Sequence, residues 1–181
     1  MRTPSHTVWY VDRFQVLRHA AALAPEGLIL EFGVATGTTL RCLAGSVPLL
    51  NRMIYGFDSF KGLPEPWSSY QKGHFSCPIP EVPNNAELIV GMFEDTLPKF
   101  LETHKGDVAL VHIDCDLYSS TKTVLKNIGS RLVYGSILVL DEFWIETNHE
   151  QRAFNEWLVG TNRTCRHEAR SIEQLLCVME S

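Results

Sequence analysis

The chain predicts an α/β fold of the Rossmann-like kind: a mostly parallel, seven-stranded sheet with helices on both faces and a C-terminal antiparallel hairpin. Three observations lead there. Five short apolar runs alternate with helix-like segments, the pattern left by parallel strands buried on both faces. Nearly every run stops at an acidic residue. The last two segments, TCRHEA and LLCVME, lie only a few residues apart, which suits a hairpin. At 181 residues, 45% of them hydrophobic, residues 1–181 read as one well-packed domain.

The elements follow in order. From Thr7 to Leu23 the residues Val8, Val11, Phe14, Leu17 and Ala21 recur at three- or four-residue steps, predicting an amphipathic helix ahead of the sheet. Pro25 and Gly27 end it. LILEFGV is the first strand, followed by a small-residue turn and a helix over TLRCLAG. MIYGFDSF is the second, with Asp58 at its end. Five of the nine prolines then fall between Pro64 and Pro83, so residues 62–85 predict an irregular loop, a length usually reserved for function and here a candidate lid over an acceptor. AELIVGMF and TLPKFLETH resume the strand and helix alternation, and DVALVHID is the next strand. Ser119 or Ser120 can cap the helix whose inner face is Val124, Leu125 and Ile128, with Gly129 near its end. GSILVLDEF is the fifth strand. Thr147 and Glu150 have capping-box spacing before a helix with Ala153, Phe154, Trp157 and Leu158 inward and Gly160 at its end.

Composition narrows the function. A net charge of -5 and no Lys/Arg cluster argue against a nucleic-acid surface. No stretch approaches the roughly 18 apolar residues of a membrane span, and MRTPSHTVWYVDRF lacks the apolar core of a secretory leader. A soluble, cytoplasmic protein is expected, working on a small molecule, with homo-oligomerisation left open. The five cysteines are scattered without CxxC spacing, implying reduced thiols rather than a zinc site or disulfide framework.

In open parallel sheets, ligands sit outside the carboxyl ends of the strands. The first such end, EFGVATGTT, spaces Gly33 and Gly37 as GxxxG, unlike a nicotinamide fingerprint or a phosphate loop. Its glycines let a ligand approach the backbone, and the helix start at Thr38 offers free N–H groups. Glu31 beside this turn suits a positive charge, and Asp58 at the next strand end is placed to accept both hydroxyls of a ribose. A cationic nucleoside fits both features, S-adenosylmethionine first among them. Phe93 and Glu94 are placed to flank its adenine.

Taken in order, ILEFGVATGTTL, YGFDSFKGLPEPW, GMFEDTLPKFL, VHIDCDLYSST and ILVLDEF resemble the macrocin O-methyltransferase family of S-adenosylmethionine-dependent sugar methyltransferases. The resemblance spans roughly Asp12 to Leu158, and its most specific blocks are FDSFKGLP and DCDLYSST. It implies a class I methyltransferase fold with Glu31, Gly33, Gly37, Asp58 and Ser59 around the cofactor, and a divalent metal near the acceptor hydroxyls. The family usually ends its fifth strand in two aspartates, where this chain has Asp141 and Glu142.

Asp114 and Asp116 stand two residues apart, so both should face the crevice if the strand continues that far. If the next strand is their neighbour, Asp141 and Glu142 reach the same edge. Such a cluster raises its own pKa values unless a cation joins it, and magnesium, with its taste for oxygen, is the natural candidate. The resemblance assigns Asp114, Asp141 and Glu142 to the metal and Asp116 to proton removal, with Asp114 also beside the cofactor and the reacting atoms. Three other readings compete: a catechol-type O-methyltransferase, a DxD glycosyltransferase holding a metal and a nucleotide diphosphate, and a non-catalytic S-adenosylmethionine-binding module. His112 reads as a core residue and Cys115 as a small buried hydrophobe. His74, His149, Trp67, Tyr70 and Trp144 are weaker candidates for touching the acceptor.

Overall fold

A computed structural model describes residues 7–46 and 52–181. In chain order its elements are β1 (Val8–Trp9), α1 (Arg13–Leu23), β2 (Leu28–Phe32), α2 (Thr38–Ser46), β3 (Ile54–Asp58) and β4 (Ala86–Val90). There follow α3 (Phe93–Thr103), β5 (Val108–Ile113), α4 (Tyr118–Ile128), β6 (Leu132–Leu140), α5 (His149–Thr161), β7 (Cys165–Arg170) and β8 (Leu175–Met179). The sheet order is β1-β7-β8-β6-β5-β2-β3-β4. Strands β4, β3, β2, β5 and β6 run parallel, while β8 is antiparallel to both β6 and β7. Among the described residues no helix is long and apolar enough to cross a membrane.

The sheet is buried on both faces because its strands carry apolar side chains to both sides. Leu30, Phe32, Val111 and Leu138 join one core with Leu97, Val124 and Phe154 from α3, α4 and α5. Ile29, Leu110 and Val139 join the other with Leu17, Ala20 and Leu40 from α1 and α2. Every residue of β5 is buried, as befits a central strand. Truncating one fully buried aromatic, such as Phe154, removes about 3–5 kcal/mol of stability by the usual cavity rule.

Several expectations are corrected. The sheet has eight strands rather than seven, because Val8–Trp9 pairs in parallel with Ala169 and Arg170 of β7. The helix expected from Thr7 therefore starts only at Arg13, where Asp12 caps it by accepting the Gln15 N–H at 2.9 Å. Val11, read as part of an apolar stripe, is 89% exposed. The true buried stripe of α1 is Val16, Leu17, Ala20 and Ala21. At the other end of the chain, the capping box is replaced by Asn148 at the N-cap of α5, and Glu150 turns its side chain elsewhere. Helix α5 also runs one residue past Gly160 and stops with Asn162 in the left-handed region, at φ 54°. Helix α4 begins at Tyr118, with Leu117 rather than a serine at its N-cap.

The loop over residues 62–85 has no strand or helix but is closed by its own bonds. Leu63 donates to His74 and Gly73 to Leu63, at 2.9 and 2.8 Å, and Trp67 and Tyr70 bond reciprocally. Aromatic rings stack along it, with the exposed Tyr70 ring on buried Trp67 and on exposed His74 at centroid distances of 5.6 and 4.4 Å.

Candidate active site

Beyond their last strand residues the β-segments continue to hydrogen-bond, and this brings the site residues to one edge. Gly33 donates to Phe57, Asp114 to Phe32, Asp141 to Ile113 and Gly91 to Asp58, at 2.9–3.0 Å. Together these segments line a cleft of about 770 Å³, within the range of small-molecule sites. Gly33, Thr38, Asp58, Ser59 and Phe93 line one part of it. Asp114, Asp116, Asp141 and Glu142 line another.

Gly33 makes the first turn. Its φ is +90°, and a Cβ there would lie 1.8 Å from the Asp114 carbonyl oxygen. Only glycine permits that approach, so the turn after β2 and the turn after β5 are packed backbone to backbone. Gly33→Ala should strongly destabilise the fold, by at least the roughly 1–3 kcal/mol of a strained backbone, and chemical denaturation will measure it. A stability equal to the parent's would show that the turn can open.

Asp58 is tied to backbone. Its Oδ2 accepts the Val34 and Ala35 N–H groups at 2.9 and 2.8 Å, and its Oδ1 accepts the Phe60 N–H at 2.8 Å. It clamps the turn after β2 to the turn after β3. Glu31, expected beside a ligand, is instead fully buried and does not line the cleft. Its carboxylate accepts the Thr39 hydroxyl and lies 3.6 Å from His112 Nδ1, bracing the first turn of α2 from below. Gly37 is also off the cleft, with Pro80 of the long loop against it. Phe93 opens α3 and meets Phe32 edge to face at 5.3 Å.

At the acidic end the charges are unbalanced. The Arg13 guanidinium, from the first residue of α1, hydrogen-bonds Asp114 and lies 3.3 Å from Asp141. Burial works against its charge, but the two carboxylates outweigh that and raise its pKa. One guanidinium does not neutralise four carboxylates. Burial, then the Asp114 charge, pushes Asp141 up to about 7. Burial, then Asp116 and Asp141, pushes Glu142 up to about 8. Asp116 rises to about 6, through burial and then Asp141, held from going higher by a hydrogen bond with Glu142. At neutral pH Glu142 therefore holds a proton that it can donate to the Asp116 carboxylate.

A pH dependence of stability follows. The folded form binds protons at Asp141 and Glu142 more tightly than the unfolded chain does. Stability therefore declines as pH rises from the ordinary carboxylate range through about 7 to 8. The thermal midpoint should fall between about pH 5 and pH 8.5, and Asp141→Asn should flatten the slope. A midpoint that rises across this window would contradict the charge imbalance.

The family resemblance implies a divalent metal at this end. The donor chemistry suits one in part, since Asp141 Oδ1 and Glu142 Oε2 are buried without a hydrogen-bond partner. The arrangement does not. Among the described residues no three His, Cys, Asp or Glu side chains are gathered as ligands, and Arg13 already engages Asp114 and Asp141. A metal there would have to displace the guanidinium from Asp114 and Asp141.

Arg13 takes a place that the sequence did not indicate, and residues of the 62–85 loop join it. Arg13, Phe75, Leu63, Pro64 and Glu65 line the cleft, and Ser119 donates to Glu65 at 2.6 Å, joining the long loop to α4. Trp67, Tyr70 and Trp144 do not line it. Trp144 lies under the Arg170 guanidinium, 4.0 Å from its ring centroid. His149 Nδ1 accepts the Tyr118 N–H at 3.3 Å. His112 and Cys115 are buried, as expected.

A mostly parallel sheet with an antiparallel C-terminal hairpin, and with a glycine turn and an acid clamp at the carboxyl ends of β2 and β3, is the architecture of a class I methyltransferase fold. The chain belongs to the methyltransferase domain family, whose model matches residues 30–143. A curated relative is the Streptomyces olivaceus 8-demethyl-8-(2,3-dimethoxy-alpha-L-rhamnosyl)-tetracenomycin-C 4'-O-methyltransferase, 28% identical over 170 residues. The alignment covers 78% of this chain and 64% of that protein; the chain spans less than two thirds of its relative's length. Among solved structures, apo CalS11, a TDP-rhamnose 3'-O-methyltransferase of calicheamicin biosynthesis, matches with TM-score 0.67 and 26% identity, over 91% of this chain and 76% of that one. The O-methyltransferase NovP matches with TM-score 0.73 and 18% identity, over 93% and 80%.

Proposed function

We propose that this protein is an S-adenosylmethionine-dependent O-methyltransferase acting on a hydroxyl of a sugar or a glycosylated natural product, with rhamnosyl acceptors first in line. The observation that carries this reading is the single cleft that joins the Gly33 turn and Asp58 to the carboxylate cluster around Asp116. The cofactor would lie at the first part, its sulfonium methyl directed toward the second. The rhamnose chemistry is suggested by the names of two relatives.

The reaction asks little of the protein beyond alignment and proton removal. The acceptor O–H bond breaks as its proton passes to an Asp116 oxygen. The acceptor oxygen bonds to the methyl carbon while the C–S bond breaks, its electron pair returning to sulfur to leave S-adenosylhomocysteine. Asp116 is suited to the task because its pKa of about 6 leaves it ionised at neutral pH yet more basic than an ordinary carboxylate. Arg13 keeps Asp114 and Asp141 from repelling it further.

The test is calorimetric titration of the chelator-treated protein with S-adenosylhomocysteine, with and without magnesium, followed by methyl transfer from labelled S-adenosylmethionine to TDP-rhamnose. One-to-one binding is expected at about micromolar affinity or tighter. No binding in either condition would overturn the methyltransferase reading and return manganese and nucleotide sugars to consideration. Binding with no transfer would count against rhamnose alone. A magnesium-dependent heat that is lost in Asp114→Asn would mean that the metal displaces Arg13.

A further inference from the structure

Asp116 stands in a backbone form that needs outside support. The Leu117 N–H donates to the Cys115 carbonyl at 2.6 Å, spanning a residue whose φ is +62°. That is the rarer and more strained of the two γ-turn forms, and a non-glycine residue persists in it only where its surroundings hold it there. The support comes from a different part of the chain. Glu150, in the first turn of α5 and 1% exposed, turns its Oε1 toward this turn and accepts the N–H of Cys115 at 3.0 Å and that of Asp116 at 3.2 Å.

An acid in the first turn of a helix is ordinarily explained by its own helix's free N–H groups. Glu150 Oε1 serves the γ-turn instead. The geometry points to Glu150 as the positioning residue for proton removal: it grips the N–H groups of the first and central residues of the strained turn and so fixes where the Asp116 carboxylate meets the acceptor hydroxyl. This rests on the methyl-transfer reading above. Among the described residues the hydrogen bonds of Glu150 Oε1 go to these two backbone N–H groups and not to the Asp116 carboxylate, so it acts on Asp116 through the backbone. Burial, followed by the charges of Asp114 and Asp141, also drives its pKa well above the ordinary value, and its Oε2 has no partner. An uncharged carbonyl oxygen at the same place should therefore do nearly the same work.

The experiment compares Glu150→Gln, which keeps an acceptor oxygen, with Glu150→Leu, which keeps bulk and removes it. Three readings are taken on each: S-adenosylhomocysteine affinity, kcat and KM for transfer to TDP-rhamnose, and amide exchange at Cys115 and Asp116. In Glu150→Leu kcat should fall about a hundredfold, the scale of a small misplacement, with KM and cofactor affinity changed by less than about threefold and both amides exchanging faster. Glu150→Gln should recover kcat to within about fivefold of the parent and restore protection at both amides. Turnover in Glu150→Leu equal to the parent's, or protection lost in Glu150→Gln, would overturn the inference. If Glu150→Leu does not fold, the exchange of the two amides in Glu150→Gln decides. Failure of the parent itself to methylate TDP-rhamnose counts only against that acceptor, and the exchange comparison then decides the role of Glu150.

Discussion

Asp116→Asn should lower methyl transfer by about two to four orders of magnitude, the usual worth of a positioned general base, while S-adenosylhomocysteine affinity stays within about threefold. Asparagine is the informative replacement because it keeps the shape of aspartate and adopts positive φ more readily than most residues, and Asp116 sits at φ +62°. The turn is therefore kept and only the proton acceptor is lost. In the parent, turnover should rise with pH through about 6, where Asp116 gives up its proton, and the variant's residual rate should lack that limb. Steady-state rates across the pH range, with calorimetry for the cofactor, supply both readings. An unchanged rate would remove Asp116 from the mechanism. A loss of cofactor affinity equal to the loss of rate would move it to the cofactor's part of the cleft.

The strand ends were legible because parallel strands announce themselves twice, as apolar runs and by the polar residue where each run stops. Asp58, Asp114, Asp116, Asp141 and Glu142 all lie on the cleft for that reason. Glu31 shows the limit. It falls within β2 itself, where alternation turns it to the underside of the α2 turn and away from the cleft. An acid at the last residue of a strand, as Asp58 is, and an acid one residue earlier, as Glu31 is, look alike in sequence, and only the register of the neighbouring strand separates them.

Arg13 and Glu150 were missed for a shared reason. The buried stripe of α1 is Val16, Leu17, Ala20 and Ala21, and Arg13 is in phase with it, three residues before Val16. The buried face of α5 includes Ala153, Phe154 and Leu158, and Glu150 is in phase three residues before Ala153. Each is a charge at the start of an apolar stripe, on the helix end that faces the carboxyl edge of the sheet. For α1 the sequence suggested a stripe through Val8 and Val11, which hid the phase. For α5 the spacing from Thr147 offered a capping box, a local explanation that left no charge to account for. A charged residue in phase with a buried stripe is worth more than a local motif can explain.

Asp58→Ala should weaken S-adenosylhomocysteine binding by about a hundredfold or more and lower the thermal midpoint as well. Both carboxylate oxygens are in use: Oδ2 gathers the Val34 and Ala35 N–H groups, and Oδ1 takes that of Phe60. Removing them frees two turns at once, and a hundredfold corresponds to about 2.8 kcal/mol, within what the loss of several charge-assisted bonds allows. Asp58→Asn should fall between, because its one carbonyl oxygen can serve one turn while its NH2 meets N–H donors at the other. The same variants ask whether Asp58 also holds the ribose. A 2'-deoxy analogue of S-adenosylhomocysteine should bind the parent more weakly, and if Asp58 is the hydroxyl's partner, that penalty should vanish in Asp58→Ala. If the carboxylate acts only as a clamp, the two losses should add, as they do for groups that do not touch. Either result leaves a measurable role at the end of β3; only an Asp58→Ala protein that binds like the parent would leave it without one.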